Sequence, residues 1–558
     1  MNCRVCIIGS GPTGIYTLKS LIECPAALEI IVYEAEQTAG KGTPYLPDAN
    51  DPVMLSNIPS IEIPLLKETL VDWLHRQDDG YLSRFSILRR YINEREFYPR
   101  LVLGDYFQDQ FVQLLAQGKR NGHEIEVYPG HRVVDIELQT DSIRVRVATP
   151  DESFDSIFHH VVMATGHNWP KKTEVRSGFF SSPWPAAALR HGCHGRLGVL
   201  GTSLSAIDAL LTVAACKGSF ILDDTGILQY VSKSENTDFS AVMLSRKGLL
   251  PEADFYCPLP YQEPRVCTKK AVEKEIAAGV SGLLDRLFDL FSQEIQACDP
   301  DYATQIGLGS LSVDTFADAY FSNRSASDPF VWAAENLAEA EINFKRRFTV
   351  PWRYAILITH EIIELAVPHF DTMDLQRFNR SFKSIFIDDY ATVPHLSIRR
   401  LLALRNANRL TIKKLGDNYD IGFDGLLNGA RITTAGDEEI FDTFIDATGQ
   451  TSLSAHELPF PTLVEQRGVH VADNPTSVTI LADDDDIQRR ETGGIALDER
   501  FRPRGNILWS NRLYCVAIPF LLHRHPFVQG VTSAAMLGKT AAGAILEDVS
   551  TSIELLAS

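Results

Sequence analysis

The sequence predicts an α/β chain that lays down one parallel-sheet plan twice and breaks the second copy with a helical insertion. Three observations predict it: a glycine loop between a strand and a helix at the start, a similar strand, loop and helix in the middle, and a strand pattern that closes each copy. At 558 residues the chain has room for more than one core. Its 45% apolar and 22% charged residues are those of a folded protein. Lys and Arg number 53 against 72 Asp and Glu, a formal charge of −19, which opposes general attraction to nucleic acid or anionic lipid. No apolar run approaches the roughly 20 residues that span a bilayer, and the start lacks a signal-peptide layout. Nine cysteines without regular spacing suit a reducing cytoplasm, where the chain is expected. Cys3 and Cys6 form a C-x-x-C on a strand, where they face opposite sides, and no second pair completes a zinc site, so no metal is expected.

The first copy begins with Arg4 to Ile8, a short β-branched run that reads as a buried strand. Gly9-Ser10-Gly11-Pro12-Thr13-Gly14 follows and fits G-x-G-x-x-G, and Ile15 to Glu23 has helical spacing. A helix starting there aims free N–H groups at a pyrophosphate, with Gly9 for the turn, Gly11 for the phosphate's approach and Gly14 for close helix packing. A second strand, Glu29 to Tyr33, ends at Glu34, 20 residues past Gly14, where a carboxylate can take ribose hydroxyls. Phe154-Asp155 then leads through an apolar strand to the small-residue turn Ala164-Thr165-Gly166, where backbone can lie against a cofactor.

The plan restarts at Leu197 to Leu200, followed by Gly201-Thr202-Ser203-Leu204-Ser205-Ala206 and a helix to about Ala215. Ser203 and Ser205 either donate hydroxyls to a phosphate or cap a packing helix. Phe441-Asp442 leads to Ala447-Thr448-Gly449, matching the earlier closing turn, and strands over Glu124 to Val147 match those over Leu410 to Thr433. Two such units predict one bound flavin, FAD, and one nicotinamide. The strand Ala241 to Leu244 runs into Ser245-Arg246-Lys247, where cations can meet a ribose 2′-phosphate, which favours NADPH over NADH; the alternative is a solvated basic turn.

From Leu250 to about Leu404 the β pattern stops, and Lys270 to Gln296 and Asp328 to Arg347 read as amphipathic helices. Lys345, Arg346, Arg347, Arg353, Arg377, Arg380, Lys383, Arg399, Arg400 and Arg405 stand there against an acidic background. They suggest a cationic pocket for a carboxylate substrate, with Arg353 the first choice, or helix faces paired with neighbouring acids. Near the end, Asn506 to Ser510 reads as a strand, and Val531 to Leu546 as a helix whose N-terminal amides could face a flavin. His523 and His525 are the candidate proton donors, although no motif marks a catalytic residue, and Asp483 to Asp486 reads as a solvated loop.

With these residues laid out, the chain resembles the YdhS-like FAD/NAD(P)-binding proteins of enteric bacteria. The resemblance rests on Gly9 to Leu18, Ser56 to Pro64, Phe97-Tyr98-Pro99-Arg100, Leu249 to Tyr261, Val350 to Tyr354, Phe386 to Tyr390 and Pro526 to Gly530. It implies FAD with a second nucleotide domain and supplies no reaction. More distantly the plan is similar to flavin monooxygenases that hold FAD and NADPH on one chain, amino-acid N-hydroxylases among them. In that likeness Gly9, Gly11, Gly14 and Glu34 match the FAD motif, Gly201, Ser203 and Ser205 match the NADPH motif, and Tyr45 and Asn57 fall in the stretch that passes the flavin ring. Arg100, Val133, Gln529 and Gly530 complete the expected cofactor-binding set. The Baeyer–Villiger bridging motif is not recognisable around Phe180 to Trp184, and the usual Gly-Asp before the last helix is absent.

The expected organisation is therefore two Rossmann-like dinucleotide-binding domains, for FAD and NADP, with a helical insertion. Residues 1–190 and 451–558 form the FAD domain, 191–250 and 405–450 the NADP domain, and 251–404 the insertion and substrate region. The expected function is an FAD-dependent, NADPH-oxidising monooxygenase of a small polar or amino-acid-like substrate. The alternatives are a flavin-linked reductase or dehydrogenase, and a nucleotide-binding protein without turnover.

Overall fold

The structure, a computed structural model, describes residues 3–166, 176–236, 238–425, 427–449, 452–472, 493–504 and 511–557. The chain divides into two units. The first comprises Met1–Pro52, Ile58–Trp169 and Gln450–Ser558, and the second Val53–Asn57 and Pro170–Gly449.

In the first unit, β1 (Cys3–Ile8) pairs in parallel with β2 (Leu28–Glu34), which pairs with β3 (Glu124–Pro129). Three antiparallel strands, β4 (Arg132–Leu138), β5 (Ile143–Ala148) and β6 (Ser153–Phe158), form a separate meander. β7 (His160–Met163) returns to the parallel sheet on the other side of β1, and the C-terminal strand Leu513–Cys515 adds to β7. The apolar runs Val5 to Ile8 and His160 to Met163 are buried throughout, as strands covered on both faces must be. The expected strand at Asn506 to Ser510 lies outside the described residues, as does the Asp483 to Asp486 loop. The first helix, Pro12–Leu21, starts earlier than its apolar spacing suggested because Pro12 fits the first helical turn.

In the second unit, β8 (Phe179–Phe180), β9 (Arg196–Leu200), β12 (Ser240–Ser245), β13 (Leu410–Lys414) and β17 (Thr443–Asp446) form a parallel sheet in the order β13-β12-β9-β17-β8. β14 (Tyr419–Gly422), β15 (Ala430–Thr434) and β16 (Asp437–Phe441) repeat the antiparallel meander. A hairpin of β10 (Gly218–Leu222) and β11 (Leu228–Ser232) has no counterpart in the first unit. β9, β12, β13 and β17 thus stand where β1, β2, β3 and β7 stand in the first sheet, so the fold is the expected pair of Rossmann-like domains with a helical insertion.

The insertion opens from the link between β12 and β13. The single helix expected over Lys270 to Gln296 is two, Lys269–Ala277 and Leu283–Cys298, because Gly279 and Gly282 adopt φ of +108° and +63° and turn the chain between them. Helix Pro329–Arg346 is capped by the Asp328 carboxylate, which accepts from the Phe330 and Val331 amides at 2.9 and 3.1 Å. Phe288, Phe291, Phe316, Phe378, Phe382 and Phe386 build a buried aromatic cluster, with Phe378–Phe382 in a π-helical turn. No helix of the described residues is long and apolar enough to cross a membrane.

Candidate dinucleotide sites

β1 delivers the chain to Gly9, whose φ of +101° only glycine adopts freely. A Cβ there would stand 2.4 Å from the Ala164 carbonyl oxygen, and one on Gly14 would stand 2.1 Å from the Gly9 carbonyl oxygen. The loop is pinned on both sides, by Gly9 N–H donating to the Tyr33 carbonyl at 2.8 Å and Ala164 N–H donating to the Ile8 carbonyl at 3.0 Å. At Gly11 a Cβ would meet the Gly42 Cα at 3.1 Å, so its missing side chain also admits a second backbone segment. The first helix has no side-chain hydrogen bond from its cap residue and no acid in its first turn, which leaves its positive end available to an anion.

Glu34, at the end of β2, accepts from the Ser10 amide at 3.0 Å and the Ser10 hydroxyl at 2.6 Å, and from the Glu36 amide at 2.9 Å. The Ser10 hydroxyl in turn accepts from the Gly40 amide at 2.8 Å. The sequence reading missed this second loop, Gly40-Lys41-Gly42. Lys41 is buried and pairs with Asp105 at 2.7 Å, and Tyr81 donates to the other Asp105 oxygen at 2.8 Å. A lysine flanked by glycines shortly after the strand-end acid was the available signal.

The loop after β9 is pinned by the same pair of backbone hydrogen bonds as the loop after β1. Gly201 has φ of +121°, its N–H donates to the Leu244 carbonyl at 2.6 Å, and Ala447 N–H donates to the Leu200 carbonyl at 2.9 Å. Leu244 therefore corresponds to Tyr33, Thr202 to Ser10 and Ser245 to Glu34. Where Ser10 donates to a carboxylate, Thr202 donates to the Ser245 hydroxyl at 3.3 Å. Ser203 is exposed and Ser205 half-buried at the start of helix Leu204–Lys217, which also has no acid in its first turn and no capping bond from Ser203. Arg246 is 73% exposed and 3.9 Å from Asp417, itself 86% exposed. The Lys247 ammonium stands 3.5 Å from the centre of the Phe321 ring, and desolvation there holds it below the usual lysine range.

The other expected residues are dispersed. Tyr45 is buried beside Phe107, 5.2 Å between ring centres, and desolvation pushes its phenol up to about 12. Arg100 opens helix Arg100–Arg120, and Val133 is buried next to the bulge in β4. Thr165 and Gly166 follow β7, and Asn57 is exposed in the second unit. Gln529 and Gly530 are exposed at the start of the C-terminal helix Gly530–Ala557, which outruns its expected end.

Burial pushes the His523 and His525 imidazoles down to about 3 and about 4, so both rings are neutral near pH 7. One expectation is corrected. Arg353 was the candidate substrate cation, yet it is 8% exposed and pairs with Glu252 at 2.9 Å and Glu339 at 3.1 Å. Much of the basic set is likewise matched by acids: Arg377 by Asp285, Asp314 and Asp374, Arg380 by Asp314, and Arg399 by Glu341.

Residues 6–168 match the FAD-NAD(P)-binding family, and residues 268–390 match the YdhS-like middle domain. The chain is 39% identical over 549 residues to YdhS of Escherichia coli strain K12, covering 98% of each chain. It belongs to the YdhS family. Among solved structures it is similar to the ornithine N-hydroxylase of Kutzneria sp. 744 with reduced FAD, NADP+ and L-ornithine, at 14% identity and a TM-score of 0.50, covering 99% of this chain and 100% of that one. The ornithine hydroxylase of Pseudomonas aeruginosa is also similar, at 13% identity and a TM-score of 0.46, covering 98% of this chain and 100% of that one. This member of the YdhS family thus carries an FAD/NAD(P)-binding domain in its first 168 residues, on a fold shared with a two-dinucleotide flavoenzyme.

Proposed function

We propose that the chain is an FAD- and NADPH-dependent oxidoreductase, a monooxygenase of a small polar, amine-bearing substrate. One observation carries the cofactor assignment: the two loops share their pinning backbone hydrogen bonds and differ at the strand end that would meet a dinucleotide's ribose, Glu34 in the first and Ser245-Arg246-Lys247 in the second. A carboxylate suits free ribose hydroxyls and repels a 2′-phosphate, whereas a hydroxyl beside two cations accepts one. The first loop fits FAD by its glycine cradle and its uncapped helix end, with Gly9 to Gly14 on the pyrophosphate and Glu34 on the ribose. Thr202, Ser203, Ser205, Arg246 and Lys247 would hold NADPH. Bound FAD supplies the redox chemistry, and the chain's residues bind, orient and exclude water.

The test is the full chain reconstituted with FAD, given NADPH under argon and then air in the presence of candidate amines. Hydroxylated product in step with NADPH consumed supports monooxygenation, and hydrogen peroxide in its place with every amine supports the reductase reading. Failure to take up FAD sinks both. Ser245→Glu restores the carboxylate of the first loop, and NADP+ affinity by direct titration is expected to fall about tenfold or more while NAD+ affinity does not. Unchanged NADP+ affinity removes the cofactor assignment.

A further inference from the structure

The ladder of β10 and β11 fixes which way each backbone group of the hairpin points. Lys233 N–H donates to the Lys217 carbonyl at 2.9 Å and Asp223 N–H to the Ile227 carbonyl at 3.0 Å. Between these bonds the pairing runs without a shift from Gly218 opposite Ser232 to Leu222 opposite Leu228. Lys217, Ser219, Ile221 and Asp223 therefore bond toward β11, while Gly218, Phe220 and Leu222 aim their N–H and C=O groups away from it. The Gly218 N–H is taken by the Ala214 carbonyl at the end of helix Leu204–Lys217. The Phe220 and Leu222 amides, and the carbonyls of all three residues, bond to no described residue, and no further strand joins this sheet among the described residues.

One face of the hairpin is packed: the Phe220 ring meets the Tyr230 ring at 5.1 Å and the Arg400 guanidinium at 5.8 Å. Elsewhere the hairpin is apolar and open, with Ile221 50% and Leu222 69% exposed and Ile227 and Val231 exposed beside them. Other sheet edges of the chain are guarded by charge or proline, β3 by Glu124, Glu126 and Pro129, β13 by Lys413 and Lys414, and β16 by Asp437, Glu438 and Glu439. From Gly218 to Leu222, β10 carries no charge, no proline and no bulge. Its charges stand at the two ends, Lys217 before it and Asp223 after it. Lys217 makes no ion pair among the described residues. The Asp223 carboxylate accepts from Thr225, Ile227 and Gln229, all uncharged donors.

We propose that the open edge of β10 docks against β10 of a second copy of this chain, antiparallel about a two-fold axis at Phe220. The strand is self-complementary about that residue. Phe220 N–H and C=O exchange bonds with the partner's Phe220, and Leu222 N–H donates to the partner's Gly218 carbonyl, each bond occurring twice by symmetry. Leu222 lies alongside a glycine, which leaves it room. Lys217 stands opposite the partner's Asp223, and Asp223 opposite the partner's Lys217, so each end of the paired strands gains an opposite-charge contact. A slip of the register breaks both charge contacts and drops an outward residue from the ladder. One strand edge with a few exposed side chains is a small interface, so the dimer is expected in the micromolar range. Neither dinucleotide loop takes part, so the pairing stands independently of the cofactor reading.

The experiment is sedimentation velocity of the full chain from about 1 to about 200 µM, at low and at high salt. A monomer–dimer equilibrium is expected, weaker at high salt because the end charges are screened. Leu222→Pro removes an outward N–H and no bond of the hairpin, and is expected to raise the dissociation constant at least about tenfold. Ser232→Pro places the same residue on β11 where the N–H points away from β10, and is expected to leave the constant within about twofold. Lys217→Glu keeps every backbone bond, sets like charges opposite each other and is expected to weaken the dimer about tenfold at low salt. Hydrogen exchange needs no variant, so a misfolded substitution does not blunt the test: the Phe220 and Leu222 amides are expected to exchange more slowly as the chain is concentrated. A lone monomer at the highest concentration, a dimer indifferent to Leu222→Pro, or exchange at Phe220 and Leu222 that ignores concentration overturns the proposal. Loss of the dimer in Ser232→Pro but not in Leu222→Pro also overturns it, by placing the contact on the other edge.

Discussion

Gly14 and Ala206 occupy the same place in their loops, and the difference between them is a test of how tightly each loop is built. A Cβ on Gly14 would stand 2.1 Å from the Gly9 carbonyl oxygen, while the Cβ that Ala206 already has lies 3.2 Å from where one on Gly201 would stand. Gly14→Ala is therefore expected to strip FAD from the first loop, read as flavin absorbance after gel filtration, and retention of a full complement of FAD would contradict it. Arg353 gives a second residue-scale prediction. Removing it leaves Glu252 buried without its partner, so Arg353→Ala is expected to cost about 3–5 kcal/mol in denaturant unfolding rather than a selective loss of substrate affinity. The loop glycines were legible in the sequence because their roles are local. Arg353 was misread because its partner Glu252 lies far away in the chain.

At the scale of elements, the C-terminal helix depends on one residue for its seat. A Cβ on Gly538 would stand 2.7 Å from the Thr17 amide nitrogen and 2.8 Å from the Thr13 carbonyl oxygen, so this helix crosses the first helix backbone to backbone. Gly538→Val is expected to destabilise by about 1–3 kcal/mol, as overpacking does, and an unchanged melting temperature would refute the close crossing. The strands and both glycine-loop helices were legible because buried parallel strands and helix starts carry local signals. The break at Gly279 to Gly282 was not, because the apolar spacing continues across it. Likewise the sequence could not show that Gly11 admits Gly42, since the two loops meet only once β2 has returned beside β1.

For the whole molecule, the buried histidines set an acid limit. Burial lowers His160, His523 and His525 to about 4, 3 and 4 from an ordinary value of 6.5. Above pH 6.5 they are neutral folded or unfolded, and as the pH falls below it the unfolded chain takes up protons that the folded chain refuses. Stability is thus expected to fall between about pH 6.5 and 4, by up to about 1.4 kcal/mol per pH unit for each fully shifted histidine. Thermal unfolding followed against pH checks it, and a flat profile over that window would show these rings to be solvated. The helical insertion leaves from the link between β12 and β13, the same link that in the first copy joins β2 to β3 through helix Arg100–Arg120. A crossover connection can accept new chain without a change of strand order. Chain can therefore be exchanged in that link while both glycine loops stay fixed, and a laboratory can attempt this by grafting the helical insertion of one relative onto the two sheets of another.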